Sequence, residues 1–211
     1  MTEGQMRDQI AELGKSLYDR GLAHGSAGNI SAKLADGTWL LTPTNSCLGR
    51  LDPAKISKLD GNGKLLAGDP PSKESFLHLA MYEERSNSAA VVHLHSLHAV
   101  AVSCLDGIDP GDVFPPITAY AIMQVGKLAL VPYYPPGDQS LADAVRKLAG
   151  RHHAVLLANH GPVVAGSSLN AAVNAIEELE QTAHLMLLLR AQPTRLLTPA
   201  QVAELNQRFP N

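Results

Sequence analysis

Apolar residues along this chain recur at two different spacings, and the switches between them mark out the elements. Ile10, Leu13, Leu17 and Leu22 fall on one stripe of a first helix, with Gly21 and Gly25 placed to end it. A loop of small residues follows, His24-Gly25-Ser26-Ala27-Gly28-Asn29-Ile30-Ser31, and then Thr38 to Thr42 reads as a strand. Asp52-Pro53 predicts a helix start, with the aspartate as cap and the proline in the first turn. Asp60-Gly61-Asn62-Gly63-Lys64 predicts a hairpin turn. Ser72 is placed to cap a helix running through Phe76, Leu79 and Tyr82. Farther on, Ala89 to His95 reads as a strand, Leu97 to Leu105 as a helix, Lys127 to Val131 as a strand and Leu141 to Leu148 as a helix. Ala154 to Ala158 and Val163 to Ala165 read as short buried strands, Ser168 to Arg190 as one long helix, and Pro199 to Arg208 as a last helix. Strands and helices interleave, yet tight hairpins also occur. That combination predicts an α/β fold with a mixed or antiparallel central sheet rather than a doubly wound parallel one. No repeat or linker divides the 211 residues, so one domain, 1–211, is expected.

Composition narrows the function classes. Hydrophobic residues make up 45% and charged residues 18%, which is globular. A formal net charge of -3 provides no basic field, so neither nucleic acid nor an anionic lipid surface is expected as a partner. Any anionic substrate must be captured locally. No apolar run is long enough to span a bilayer. Met1 to Met6 lacks the basic and apolar stretches of a signal peptide, and Cys47 and Cys104 are isolated from each other, so a cytoplasmic protein with reduced thiols is expected.

The residues with chemical potential fall into five places. In a strand, His93 and His95 project side by side, and a distant His160 would complete three imidazoles around one divalent metal with coordination positions left open. His-x-His is also ordinary surface alternation, and spacing alone leaves both readings standing. The loop containing Gly28 and Asn29 either offers backbone N–H groups to a phosphate or is a simple turn. Thr44 and Asn45 end a strand with polar donors, again as a site or a turn. Ser72 and Lys73 sit at a helix start, where the amides, a hydroxyl and a cation suit a phosphate; Glu74 beside them is either a capping carboxylate or an acid/base. Tyr120 lies in an apolar stretch, the usual place for a core tyrosine. His78 follows Glu74 by one helical turn, and His24 adjoins the small-residue loop. His98, His152, His153 and His184 have no partner pattern and are assigned to surface or packing.

Taken in order, Gly-Asn-Ile-Ser at 28–31, Thr-Pro-Thr at 42–44, Asp-Gly-Asn-Gly-Lys at 60–64, Pro-Ser-x-Glu at 71–74, Val-Val-His-x-His at 91–95 and Asn-His-Gly at 159–161 resemble the class II aldolase/adducin family over nearly the whole chain. The resemblance implies a three-layer α/β fold whose central, mostly antiparallel sheet is flanked by helices. It implies a Zn²⁺-type centre on His93, His95 and His160, with Mn²⁺ or Co²⁺ equally acceptable to three imidazoles, and Glu74 as acid/base beside it. It implies a phosphate pocket from Gly28, Asn29, Thr44, Asn45, Ser72 and Lys73, and a homotetramer in which Tyr120 is supplied across a subunit boundary. Aldolase members carry Thr-Gly where this chain has Thr44-Asn45, and Ser-Ser-Glu where it has Ser72-Lys73-Glu74. The version here is most similar to a subgroup that decarboxylates 3-oxo-tetronate 4-phosphates to dihydroxyacetone phosphate and CO2, through an enediolate at the metal, in four-carbon sugar-acid catabolism. A ketose-phosphate aldolase and a non-catalytic, adducin-like interaction module stand as alternatives. The expected substrate is thus a phosphorylated sugar acid.

Overall fold

The computed structural model describes residues 1–135 and 137–209. Eight short strands form one sheet: β1 (Asn29–Lys33), β2 (Trp39–Leu41), β3 (Ser57–Leu59), β4 (Leu65–Ala67), β5 (Ala90–His93), β6 (Ala129–Val131), β7 (Ala154–Leu157) and β8 (Gly161–Gly166). Their order is β4-β3-β2-β1-β5-β8-β7-β6, antiparallel except for the parallel β6–β7 pair. The expected mostly antiparallel α/β sheet is what forms.

Alternation sorts the side chains of the inner strands between two cores. Ile30, Ala32, Leu40, Ala90, Val92, Leu156 and Val164 face one side, where α1 (Glu3–Asp19), α3 (Leu97–Ser103) and α6 (Leu169–Leu189) cover them with Ile10, Leu17, Val102, Ile176 and Leu179. Trp39, Leu41, Val91, Val155 and Val163 face the other, against Leu77, Met81 and Tyr82 of α2 (Ser75–Glu84) and Leu141 and Val145 of α5 (Ser140–Ala149). This gives the three layers. The remaining helices are α4 (Ala119–Gln124) and α7 (Pro199–Arg208). No helix among the described residues is long and apolar enough to cross a membrane.

Several elements differ from expectation, each for a local reason. Asn29 to Ser31 belong to strand β1 rather than to the preceding loop, since Asn29, Ile30 and Ser31 pair with His93, Val92 and Val91. The segment after Asp52 makes a single 3-10 turn, Pro53–Lys55; Asp52 caps Ala54, but β3 begins two residues after the turn and leaves no room for a helix. Leu22 lies beyond the end of α1, its N–H bonded back to Leu17. Strand β5 stops at His93, so His95 is outside it. Helix α2 starts at Ser75 with Glu74, not Ser72, at its cap position. The apolar stretch around Tyr120 forms α4. The long helix α6 and the last helix α7 run as expected, capped by Ser168 and Thr198.

Candidate metal centre and active site

Two parts of the chain meet where β5 leaves the sheet. Beyond His93 the backbone turns out through Leu94, and the β7–β8 hairpin turn lies directly against it. A side chain at position 161 would place its Cβ 2.3 Å from the Leu94 carbonyl oxygen, so only glycine permits this approach. Asn159 takes a left-handed conformation (φ 56°) to close the same turn, and His160 is carried to the front of the site. On the other flank, a Cβ at Gly28 would sit 2.9 Å from the His93 carbonyl oxygen.

The result is a convergence of four side chains. The Nε2 atoms of His93 and His95 are 3.1 Å apart, and those of His160 and His95 are 3.0 Å apart. Glu74 presents Oε1 3.1 Å from His160 Nε2 and Oε2 3.5 Å from His93 Nε2. Ligand atoms of all four residues lie within 4.8 Å of one another. His93 is fully buried, and its Nδ1 donates to the Pro162 carbonyl, 2.8 Å away. Its Nε2 is therefore a bare lone pair aimed at the cluster. Burial, then the neighbouring rings, pushes the His95 imidazole down to about 3, and burial lowers His93 as well. Three imidazole nitrogens and a carboxylate converging at such distances form a donor set that suits a divalent cation. His95, no longer in the strand, reaches the cluster all the same.

Glu74 is positioned by its neighbours rather than by a capping role. Its side chain makes no capping bond, while Ser72 Oγ accepts from the Glu74 N–H at 3.3 Å. Asn29 Nδ2 donates to Glu74 Oε2 at 2.7 Å and to Ser72 Oγ at 3.1 Å. Burial raises the Glu74 carboxyl, but the His93 and His160 rings and the Asn29 amide outweigh it and hold the group well below the usual carboxylate range. Glu74 is thus ionised.

In front of the cluster is a cavity of about 580 Å³, lined among others by His24, Glu74, His95, Tyr134 and His160. Tyr133, Tyr134, Leu97 and Val100 also line it, and nothing in their sequence spacing marks them. None of the six expected phosphate residues, Gly28, Asn29, Thr44, Asn45, Ser72 and Lys73, is among the residues lining this cavity. The Thr44 N–H bonds Pro70, the Ser72 N–H bonds Thr42, and Pro43 bridges Pro71, lacing 42–45 to 70–72. Asn45 is exposed in a left-handed conformation (φ 57°), and Lys73 is exposed. Tyr120 is not a core residue: it is 63% exposed and lines a separate groove with Arg20, Leu22 and Gln124. Of the histidines assigned to surface or packing, His98 bonds Glu180 and stacks on His184, while His152 and His153 bond backbone carbonyls.

Residues 8–187 match the model of the "Class II Aldolase and Adducin N-terminal domain" family. The chain belongs to that family. Among its relatives, the 3-oxo-tetronate 4-phosphate decarboxylase of Escherichia coli is 49% identical over 203 residues, 96% of each chain. The L-fuculose phosphate aldolase of Escherichia coli is 32% identical over 213 residues, 99% of this chain and 96% of the aldolase. The crystal structure of YgbL from Escherichia coli superposes with a TM-score of 0.95 at 48% identity, covering 96% of this chain and 98% of that one.

Proposed function

We propose that this chain is a carbon–carbon lyase that decarboxylates a 3-oxo-tetronate 4-phosphate to dihydroxyacetone phosphate and CO2. The observation that carries this reading is the 49% identity over 96% of both chains to a decarboxylase of that name, against 32% to an aldolase. His93, His95 and His160 hold the divalent ion, Zn²⁺ by first choice and Mn²⁺ or Co²⁺ as alternatives. That ion supplies Lewis-acid withdrawal of charge from the substrate's oxygens.

The chain's own residues do the rest. Ser72, Lys73, Thr44, Asn45 and the backbone at Gly28 capture the phosphate, and this remote binding sets the reacting carbons over the imidazole cluster. The bond between C1 and C2 breaks, its electron pair stays on C2, CO2 departs, and C2 takes up one proton. Glu74 delivers that proton. The Glu74 carboxylate takes that proton up from solvent before it delivers it. A phosphate and a carboxylate arriving beside it raise its proton affinity by like-charge repulsion. Asn29, whose amide is taken up by Glu74 and Ser72, orients the acid and is not a primary phosphate ligand. Tyr120, exposed and lining another groove of its own chain, completes the site of a neighbouring subunit in a homotetramer; the mass in solution tests that assembly.

The deciding experiment gives metal-loaded protein 3-oxo-tetronate 4-phosphate and, separately, L-fuculose 1-phosphate, and follows dihydroxyacetone phosphate in both. Stoichiometric CO2 and dihydroxyacetone phosphate from the first alone are expected. Product from the second alone makes the chain an aldolase, and silence from both returns the interaction-module reading.

A further inference from the structure

Behind the imidazole cluster, on the α2 side of the sheet, a line of buried polar groups runs from Tyr82 to Glu74. Tyr82 Oη lies 2.7 Å from Ser31 Oγ, and Ser31 Oγ lies 2.7 Å from His78 Nδ1. His78 Nε2 lies 2.5 Å from Asn29 Oδ1, and Asn29 Nδ2 bonds Glu74. Ser31 and His78 are fully buried, Asn29 is 3% exposed and Tyr82 6%.

The direction of every bond in this line follows from its end. The Asn29 atom facing Glu74 and Ser72 is Nδ2, which carries two hydrogens and can only donate. Asn29 therefore turns its carbonyl to His78, and His78 Nε2 must carry a hydrogen to satisfy it. Burial pushes the His78 imidazole down to about 3, so the ring is neutral and has only that one hydrogen. Its Nδ1 is then an acceptor and takes the Ser31 hydroxyl hydrogen. Ser31 in turn accepts the hydrogen of Tyr82. Each donor points toward Glu74, from Tyr82 through to the carboxylate, and such aligned bonds polarise one another.

We propose that Tyr82, Ser31 and His78 form a positioning relay that locks the Asn29 amide, and through it the Glu74 carboxylate, in the orientation that proton transfer to carbon requires. This rests on the proton-transfer role given to Glu74 above. None of the three touches the substrate. Well-packed apolar side chains would fill the same space at similar stability, so the chain of polar groups is explained by what it does at its end. His78 holds the far side of the amide: without its N–H, Asn29 Oδ1 loses its buried partner and the amide is free to rotate away from Glu74.

Two measurements test the relay. Long-range proton–nitrogen NMR of ¹⁵N-histidine-labelled wild-type protein reads the His78 tautomer without any substitution. A hydrogen on Nε2 is expected, and a hydrogen on Nδ1 overturns the relay. The second measurement follows deuterium entry from D₂O into the hydroxymethyl carbon of dihydroxyacetone phosphate, catalysed by metal-loaded enzyme. This reads Glu74 proton transfer whichever carbon–carbon bond is cleaved. His78→Phe keeps the ring volume and removes both nitrogens. It should slow the exchange about 10- to 100-fold with metal content unchanged and KM within about twofold, as for other groups that orient a reacting ligand from behind. His78→Gln, which restores the N–H facing Asn29, should recover most of the rate. Tyr82→Phe, which removes only the far hydroxyl, should cost less than His78→Phe. Full exchange in His78→Phe, or equal loss in His78→Phe and His78→Gln with KM and Tm shifting together, overturns the proposal. Exchange by wild-type protein that releases no CO2 from 3-oxo-tetronate 4-phosphate refutes the decarboxylase assignment alone.

Discussion

The two faces of the central sheet carry different burdens. The face under α1, α3 and α6 is packed with apolar side chains, and its buried hydroxyls at Ser103 and Thr182 bond within their own helices. The face under α2 and α5 has an apolar core of its own, but a seam of polar groups runs through it along β1 and β5: Ser31, Tyr82, His78, Asn29, Glu74 and His93. Both faces come from the same strands, whose alternate residues point opposite ways. In β1, Ile30 and Ala32 hold the sheet to one layer, while Asn29 and Ser31 serve the chemistry on the other. A two-residue period thus lets one strand carry both tasks, at the cost of burying polar atoms that must all find partners.

Substitutions on the two faces should therefore fail in different ways. The largest effect is expected from His95→Ala, which removes one of three imidazoles. Metal content by mass spectrometry should fall to background, and activity should drop by about 1,000-fold or more with the loss of several kcal/mol of charge stabilisation. An active, metal-free His95→Ala protein would sink the metal centre. Glu74→Gln should keep the metal and lose about 100- to 10,000-fold in turnover, the usual contribution of a positioned acid. Full activity there would leave Glu74 as a mere helix-terminal residue. On the opposite face, Leu179→Ala should lower unfolding free energy by about 2–5 kcal/mol while kcat of the folded fraction stays unchanged, which chemical denaturation and kinetics together can read. A loss of kcat beyond the unfolded fraction would show that the two faces are not separable.

Acid should find the polar seam first. Buried His78 stays neutral to about pH 3, whereas an unfolded histidine protonates near 6.5. Within that window the unfolded chain binds more protons, so stability is full above about pH 6.5 and falls by about 1.4 kcal/mol per unit as the pH drops toward 3. Urea midpoints for His78→Phe should lose that part of the acid slope, and an identical slope in the variant would remove His78 as its source. The smallest effect is expected at the rim. Lys73→Ser should raise KM for the phosphorylated substrate about 10-fold and hardly touch kcat, and an unchanged KM would free Lys73 from the phosphate.

How far the sequence could be read depends on which face a residue serves. The long apolar stripe of α6 and the buried strands around His160 were legible because packing dictates their periods, and the Asp60–Lys64 hairpin because its glycines and Asx residues mark a turn. The three histidines and Glu74 were legible as a spacing, and the class II aldolase resemblance joined them. What stayed hidden was the seam. Asn29-Ile30-Ser31-Ala32 alternates polar and apolar like a half-buried strand, but its asparagine and serine follow a glycine and look like turn residues. Ser31, His78 and Tyr82 are linked only through β1 and α2 packing, so no local pattern announces the relay. Tyr120 misled in the opposite sense: its apolar neighbours suggest core, yet α4 turns it outward.

The contact between Leu94 and Gly161 has a consequence for how the protein comes to exist. It joins positions 67 residues apart in the chain, and only after β8 has docked on β5 do the histidines share a point in space. Closing so distant a contact belongs to the slow, topology-limited part of folding rather than to any local nucleus. The donor set is therefore a product of the sheet's long-range pairing and of no single loop.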